Sequence, residues 1–185
     1  MNTFRFQDEV QKIIDAKKLV EVDLLLGGKF DHFIAFLIHV NDDYLTFARV
    51  SNDVTLQGVT ICRMESLESI QTETGFVREL RKSLPDDTLF KESLKEVQLV
   101  KDFTFQGFTS AFVDTDRVLD VTSENEGFTG KVIAYDESIL LLDEYYAEDE
   151  ERFARTYINP AIITTITVGG TWLKLIERSL AAKAL

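Results

Sequence analysis

The chain has 185 residues, 45% hydrophobic and 28% charged, an ordinary balance for a globular protein and enough apolar material for one domain or two small ones. Fourteen phenylalanines and five tyrosines supply core bulk without metal, and a single cysteine excludes an internal disulfide framework. The net charge of −12 opposes general nucleic-acid binding, since neutralising phosphates with Lys and Arg supplies most of that affinity.

The acid is concentrated in the two stretches that read as β structure, where its plain role is solubility. No apolar run approaches the roughly 18–20 residues that cross a bilayer, and no basic segment with an apolar successor opens the chain. The expectation is a cytoplasmic protein without membrane contact. Cys62 fits that reducing setting and sits in the β-prone run "GVTICRM", where a small buried side chain is expected instead of a nucleophile.

In chain order, "FQDEVQKIIDAK" spaces Phe6, Val10, Ile13 and Ile14 as one face of a short helix. "LVEVDLLLGG" reads as a strand ending at paired glycines. "FIAFLIHV", the turn "NDD" and "YLTFARVSND" form a hairpin, and "VTLQGVTICRMESLESIQTE" adds two short strands. Phe76, Val77, Leu80 and Leu84 make an apolar helical stripe that Pro85 interrupts. Asp86 or Asp87 is placed to cap a second helix carrying Leu89, Phe90, Leu94 and Val97, the expected counterpart of the first helix. Residues 98–116 receive no assignment.

The plan then repeats. "VLDVTSEN", "GFTGKVIAY", the turn "DES", "ILLLDEYYAED", "ERFARTYIN" and "AIITTITV" read as a second five-strand set, with Pro160 marking a strand boundary. Laying "FLIHVNDDYLTFARV" over "KVIAYDESILLLDEY" superimposes both turns and the apolar residues beside them. Two unrelated antiparallel sheets sharing a hairpin pattern would look similar. The tail "TWLKLIERSLAAKAL" places Trp172, Ile176 and Leu180 on one helical face, for packing on the second sheet or for docking a partner.

"GKVIAYDESILLL" resembles the first sequence motif of the Sm and Sm-like (LSm) proteins, with Gly130, Val132, Tyr135, Asp136, Ile139 and Leu141 in register. Ala35, Leu37, Val40, Asn41 and Tyr44 take the corresponding places in the first half. The family's second motif falls on Cys62, Arg63, Met64, Leu67 and Ile70, and again on Ile158, Asn159, Pro160, Ile163 and Ile166. The resemblance covers roughly two-thirds of the chain. It implies a mainly β fold with flanking helices: two tandem Sm-like/SH3-like small five-stranded barrels, each preceded by a short helix. The expected division is 1–75 for the first helix and barrel, 76–116 for a connector, and 117–185 for the second barrel and a C-terminal helix. Closing a bent sheet on itself removes its edges.

In that family an asparagine and an arginine hold a single-stranded RNA base. Leu45 and Leu140 stand at the asparagine position, and a leucine cannot hydrogen-bond a base edge. Asn41, Arg63, Asp136 and Asn159 are the polar residues remaining at family contact positions, although Asn41 and Asp136 are also good turn formers.

The two histidines, His32 and His39, match no metal or catalytic spacing, and His39 is expected on the face of Phe33 and Leu37. "GFTGK" lacks the second half of a phosphate loop, and "EDEER", Glu148 to Arg152, reads as a solvated turn before a cation site. The expected function is therefore a non-enzymatic binding or scaffold protein without cofactor or metal. It would act on a protein partner, or on copies of itself through strand edges. An RNA-binding protein with a modified pocket is the alternative, and an acidic mimic of nucleic acid rests on charge alone.

Overall fold

The computed structural model describes residues 5–84, 87–124, 126–145 and 153–183. Helix α1 (Phe6–Asp15) precedes five strands: β1 (Leu19–Leu26), β2 (Lys29–Val40), β3 (Tyr44–Val50), β4 (Leu56–Arg63) and β5 (Leu67–Gln71). Helices α2 (Gly75–Ser83), α3 (Thr88–Glu96) and α4 (Phe105–Ser110) follow. Five more strands complete the sheet: β6 (Val118–Ser123), β7 (Gly127–Tyr135), β8 (Leu140–Tyr145), β9 (Phe153–Ile158) and β10 (Ile163–Val168), before α5 (Gly170–Lys183). The fold is mainly β with flanking helices. Pro85, Asp86 and the run Glu148 to Arg152 lie outside the described residues.

All ladders are antiparallel and join the ten strands in the order β5-β1-β2-β3-β4-β10-β6-β7-β8-β9. The first half runs fifth, first, second, third, fourth, and so does the second. The likeness extends to irregularities. The ladder slips between Leu37 and His39 in β2 and between Val132 and Ala134 in β7, places that the hairpin overlay makes equivalent. A single 3-10 turn separates the fourth strand from the fifth in both halves, Met64–Ser66 and Pro160–Ile162. The expected closure is not what the ladders do. Among the described residues neither half closes on itself; β4 pairs with β10, so one open sheet runs through both halves, ending at β5 and β9.

Residue choice explains the local shape. Paired Gly27 and Gly28, at φ 55° and 77°, make the two-residue turn between β1 and β2, a left-handed conformation that side chains disfavour. At Gly130 a Cβ would lie 2.4 Å from the Asp143 carbonyl oxygen, so β7 and β8 approach closely only because that side chain is missing. The hydroxyls of Thr74 and Thr104 accept from the Val77 and Gly107 amides and so cap α2 and α4. Asp87 stands at the start of α3 but makes no capping bond; its carboxylate pairs with Lys17 at 2.8 Å.

Two large clusters hold the sheet. One takes side chains from α1 and all five strands of the first half, including Val10, Val22, Leu37, Phe47 and Cys62, so that half curls around its own core. The other gathers Val121, Val132, Leu142 and Ile166 of the second half together with Phe36, Ala48 and Ile61 from the first half's other face. Corresponding ladder pairs are buried in both: Leu37 with Phe47 and Leu45 with Cys62, then Val132 with Leu142 and Leu140 with Ile158. Helix α3 packs on β4 and sets Phe90 edge-on to Phe36. The counterpart of α1 is α4, within the segment that the sequence left unassigned: α4 packs on β7 as α1 packs on β2, burying Phe105 and Phe108.

Candidate functional site

Each polar residue picked from the family pattern is engaged in hydrogen bonds within the chain. Asn41 follows β2, and its Oδ1 accepts from the Asp43 and Tyr44 amides at 3.0 and 2.7 Å, the bonds of a side-chain-closed turn. Its Nδ2 donates to the Phe103 carbonyl at 3.1 Å, which fastens the connector to the first half. Asp136 does the same turn work at the matching place, accepting from the Ser138 hydroxyl and from the Ser138 and Ile139 amides. Those bonds, the Ser138 hydroxyl first, hold its pKa below the ordinary carboxylate value.

Arg63 ends β4 at the seam. Its Nε donates to the Ile163 carbonyl at 2.9 Å and a terminal nitrogen donates to the Pro160 carbonyl at 3.1 Å. The guanidinium lies 5.1 Å from the Phe105 ring centre. The arginine of one half therefore grips the 3-10 turn of the other. Asn159 occupies the equivalent place in the second half, where its Oδ1 accepts from the Ala161 amide at 2.9 Å and starts its own 3-10 turn. Arg63 thus serves the join between the halves, Asn41 serves its own turn and the connector, and Asp136 and Asn159 serve local turns.

The helical face chosen for docking is rotated. Leu173 and Ile176 of α5 are buried against Val118, with Leu180 packed beside them, whereas Trp172 is 60% exposed and Leu175 shares its open side. His39 leaves the face of Phe33 and Leu37 because the slip after Leu37 inserts an extra residue. It stacks on Phe103 with ring centres 4.6 Å apart, and burial lowers its pKa against the opposing pull of Asp102.

One grouping has the residue types of a nucleophilic triad and the wrong wiring. The Ser69 hydroxyl donates to Asp23 at 2.5 Å, and His32 Nδ1 meets the same carboxylate at 2.7 Å. Among the described residues no histidine sits on the serine: its proton points at a carboxylate whose pKa is lowered by that serine first and His32 next. The arrangement ties edge strand β5 to β1. Among the described residues no three His, Cys, Asp or Glu side chains are placed to share a metal ion, and no helix is long and apolar enough to cross a membrane. Cys62 is wholly buried, and burial pushes its thiol up to about 12.

Sequence reasoning missed the seam. Its signal was present in β4, where Val59, Thr60, Ile61 and Cys62 are buried in succession, the mark of a strand covered on both faces and paired on both sides. The chain matches no protein-family model, no curated protein and no solved structure.

Proposed function

We propose that the chain is a non-enzymatic scaffold of two tandem Sm-like repeats, acting through protein contacts, with copies of itself as the first partner. The observation that carries this reading is the β4·β10 ladder. It joins the fourth strand of one repeat to the fifth strand of the next, and so leaves a free fifth strand, β5, at one end and a free fourth strand, β9, at the other. Those ends are complementary in kind. A head-to-tail contact between them repeats the internal seam and extends or closes an assembly.

The seam also sets the register. Ile61 faces Ile166 and Cys62 faces Thr165 inside the chain. The equivalent positions place Tyr157 of one copy against Ile70 of another, and Ile158 against Ser69. Tyr157 is 64% exposed, which a free edge explains. The RNA-reading alternative is weakened because Asn41 and Arg63 already have partners in the chain.

Light scattering coupled to size exclusion, run over a concentration series, tests the proposal. Mass rising above 21.1 kDa, and falling back in Tyr157→Pro, is the expected result. A strict monomer at every concentration overturns it, and saturable binding of uridine-rich single strands that Arg63→Ala abolishes puts the RNA reading in its place.

A further inference from the structure

We propose that the cavity over the seam is a binding site for a small ligand bearing an alkylammonium or guanidinium group, received by Asp120. The cavity is a half-open cleft of about 390 Å³ that draws its walls from both halves. That is the lower end of the size that holds a small molecule.

The ladder registers place its polar groups. Thr60 faces Thr167 across the seam, with hydroxyl oxygens 2.8 Å apart, and Thr167 in turn faces Asp120. Beyond it, the Thr129 hydroxyl donates to Asp120 Oδ1 at 3.0 Å. The floor is thus a row of hydroxyls leading to one carboxylate, on a face that is apolar further along at Phe47.

The charges settle which ligand fits. Arg49 lines the cavity but is committed: it gives two bonds to Asp31, 2.9 and 3.1 Å, and its guanidinium lies 4.1 Å above the Phe33 ring. Asp120 has no ion pair among the described residues, and one hydroxyl bond fills only one of a carboxylate's roughly four acceptor positions. Burial pushes its pKa up, with Thr129 and the field of Arg49 pulling the other way. A half-buried carboxylate that has gained no cation in exchange for lost water is relieved by one. Glu124 and Glu126 add negative charge at the rim, against the exposed Lys29. An anion would meet more carboxylates than free cations, and a neutral polyol would leave Asp120 unpaired. A metal ion would find one half-buried carboxylate among hydroxyls, and no three His, Cys, Asp or Glu side chains among the described residues are placed to share it.

The test is a titration of the full-length, isotope-labelled chain with agmatine, which carries both cationic groups, followed by amide chemical shifts. Erythritol and glutarate serve as the neutral and anionic arms. The expected result is saturable movement of the Thr60, Asp120 and Thr167 amides with agmatine alone, weakened by at least about tenfold in Asp120→Asn. A dispersed spectrum checks that this variant is folded. If it is not, Thr167→Val decides, with affinity expected to fall several-fold. No saturable shift with agmatine, equal affinity in the folded variant, or equal binding of erythritol overturns the proposal. None of these substitutions touches β5 or β9, so the outcome is independent of self-association.

Discussion

Arg63 Nε and the Ile163 carbonyl oxygen, 100 positions apart in the chain, stand 2.9 Å from one another. That bond continues the β4·β10 ladder past its last residue pair and makes the arginine a clasp between the two halves. The side chain is half-buried there, and its charge is met by backbone carbonyls, the face of Phe105 and, at 4.0 Å, the exposed Glu65 carboxylate. Replacing it with alanine removes the bonds to the Ile163 and Pro160 carbonyls and a longer one to the Ala161 carbonyl, and leaves all three short of a donor. Urea unfolding should show Arg63→Ala destabilised by about 2 kcal/mol. Arg63→Lys should recover little, because a single ammonium cannot span both carbonyls as a planar fork does. An alanine variant as stable as the parent would show that the clasp is ornamental.

Gly130 and Gly127 allow a controlled test of why the hairpin bends. Both lie in β7, neither has positive φ, and they differ in what a methyl group would meet. At Gly130 it runs into the Asp143 carbonyl oxygen at 2.4 Å and the Glu144 Cα at 2.9 Å; at Gly127 nothing lies within 4 Å. Gly130→Ala should cost about 1–3 kcal/mol through a displaced backbone. Gly127→Ala should leave thermal stability nearly unchanged. Equal effects at the two sites would refute the close-approach account.

The free end at Asn159 gives the assembly reading its sharpest handle. Within the chain, the equivalent position is Arg63, which reaches across the seam to the neighbouring turn. Asparagine is too short for that and is occupied with the Ala161 amide. Asn159→Arg should therefore tighten contact between copies, lowering the concentration at which mass rises in light scattering, at the expense of about 1 kcal/mol for the lost cap. Self-association unchanged or weakened would mean that the seam is not the template for the contact.

The paired hairpins were legible because their signals are local. Turn residues, apolar alternation and Gly130 all act within a dozen positions, and the burial of Cys62 followed from its neighbours. What was not legible depends on distance or on a single inserted residue. Helix α4 is six residues long, too short for a helical period to stand out, and it is fixed by the Thr104 cap and the burial of Phe105 and Phe108. The slip after Leu37 turned His39 off its expected face. Trp172 reads like Ile176 at helical spacing, yet α5 is rotated so that Leu173 takes the buried place. That Arg63 bonds the other half's turn depends on the β4·β10 ladder, and the buried run Val59 to Cys62 marks a doubly paired strand without naming its partner.

The buried ionic group around Glu96 contributes to the acid limb of stability. Glu96 of α3 is 8% exposed and receives hydrogen bonds from Arg117 and from Lys174 of α5, while Arg117 also bonds Glu177 at 2.9 Å. Burial favours the neutral carboxyl, but the bonds from Lys174 and Arg117 outweigh it, and the pKa of Glu96 lies below its usual 4.5. The unfolded chain therefore takes up the proton first as pH falls. The contribution of Glu96 is whole above pH 4.5, erodes as pH drops through the folded-state value, and is gone below it. Glu96→Gln should cost about 2 kcal/mol at neutral pH, where it leaves Arg117 and Lys174 with a weaker acceptor. It should also flatten the loss of stability below pH 4.5 relative to the parent chain. Parallel stability-versus-pH curves for the two proteins, measured by urea unfolding, would place the acid sensitivity in some other carboxylate.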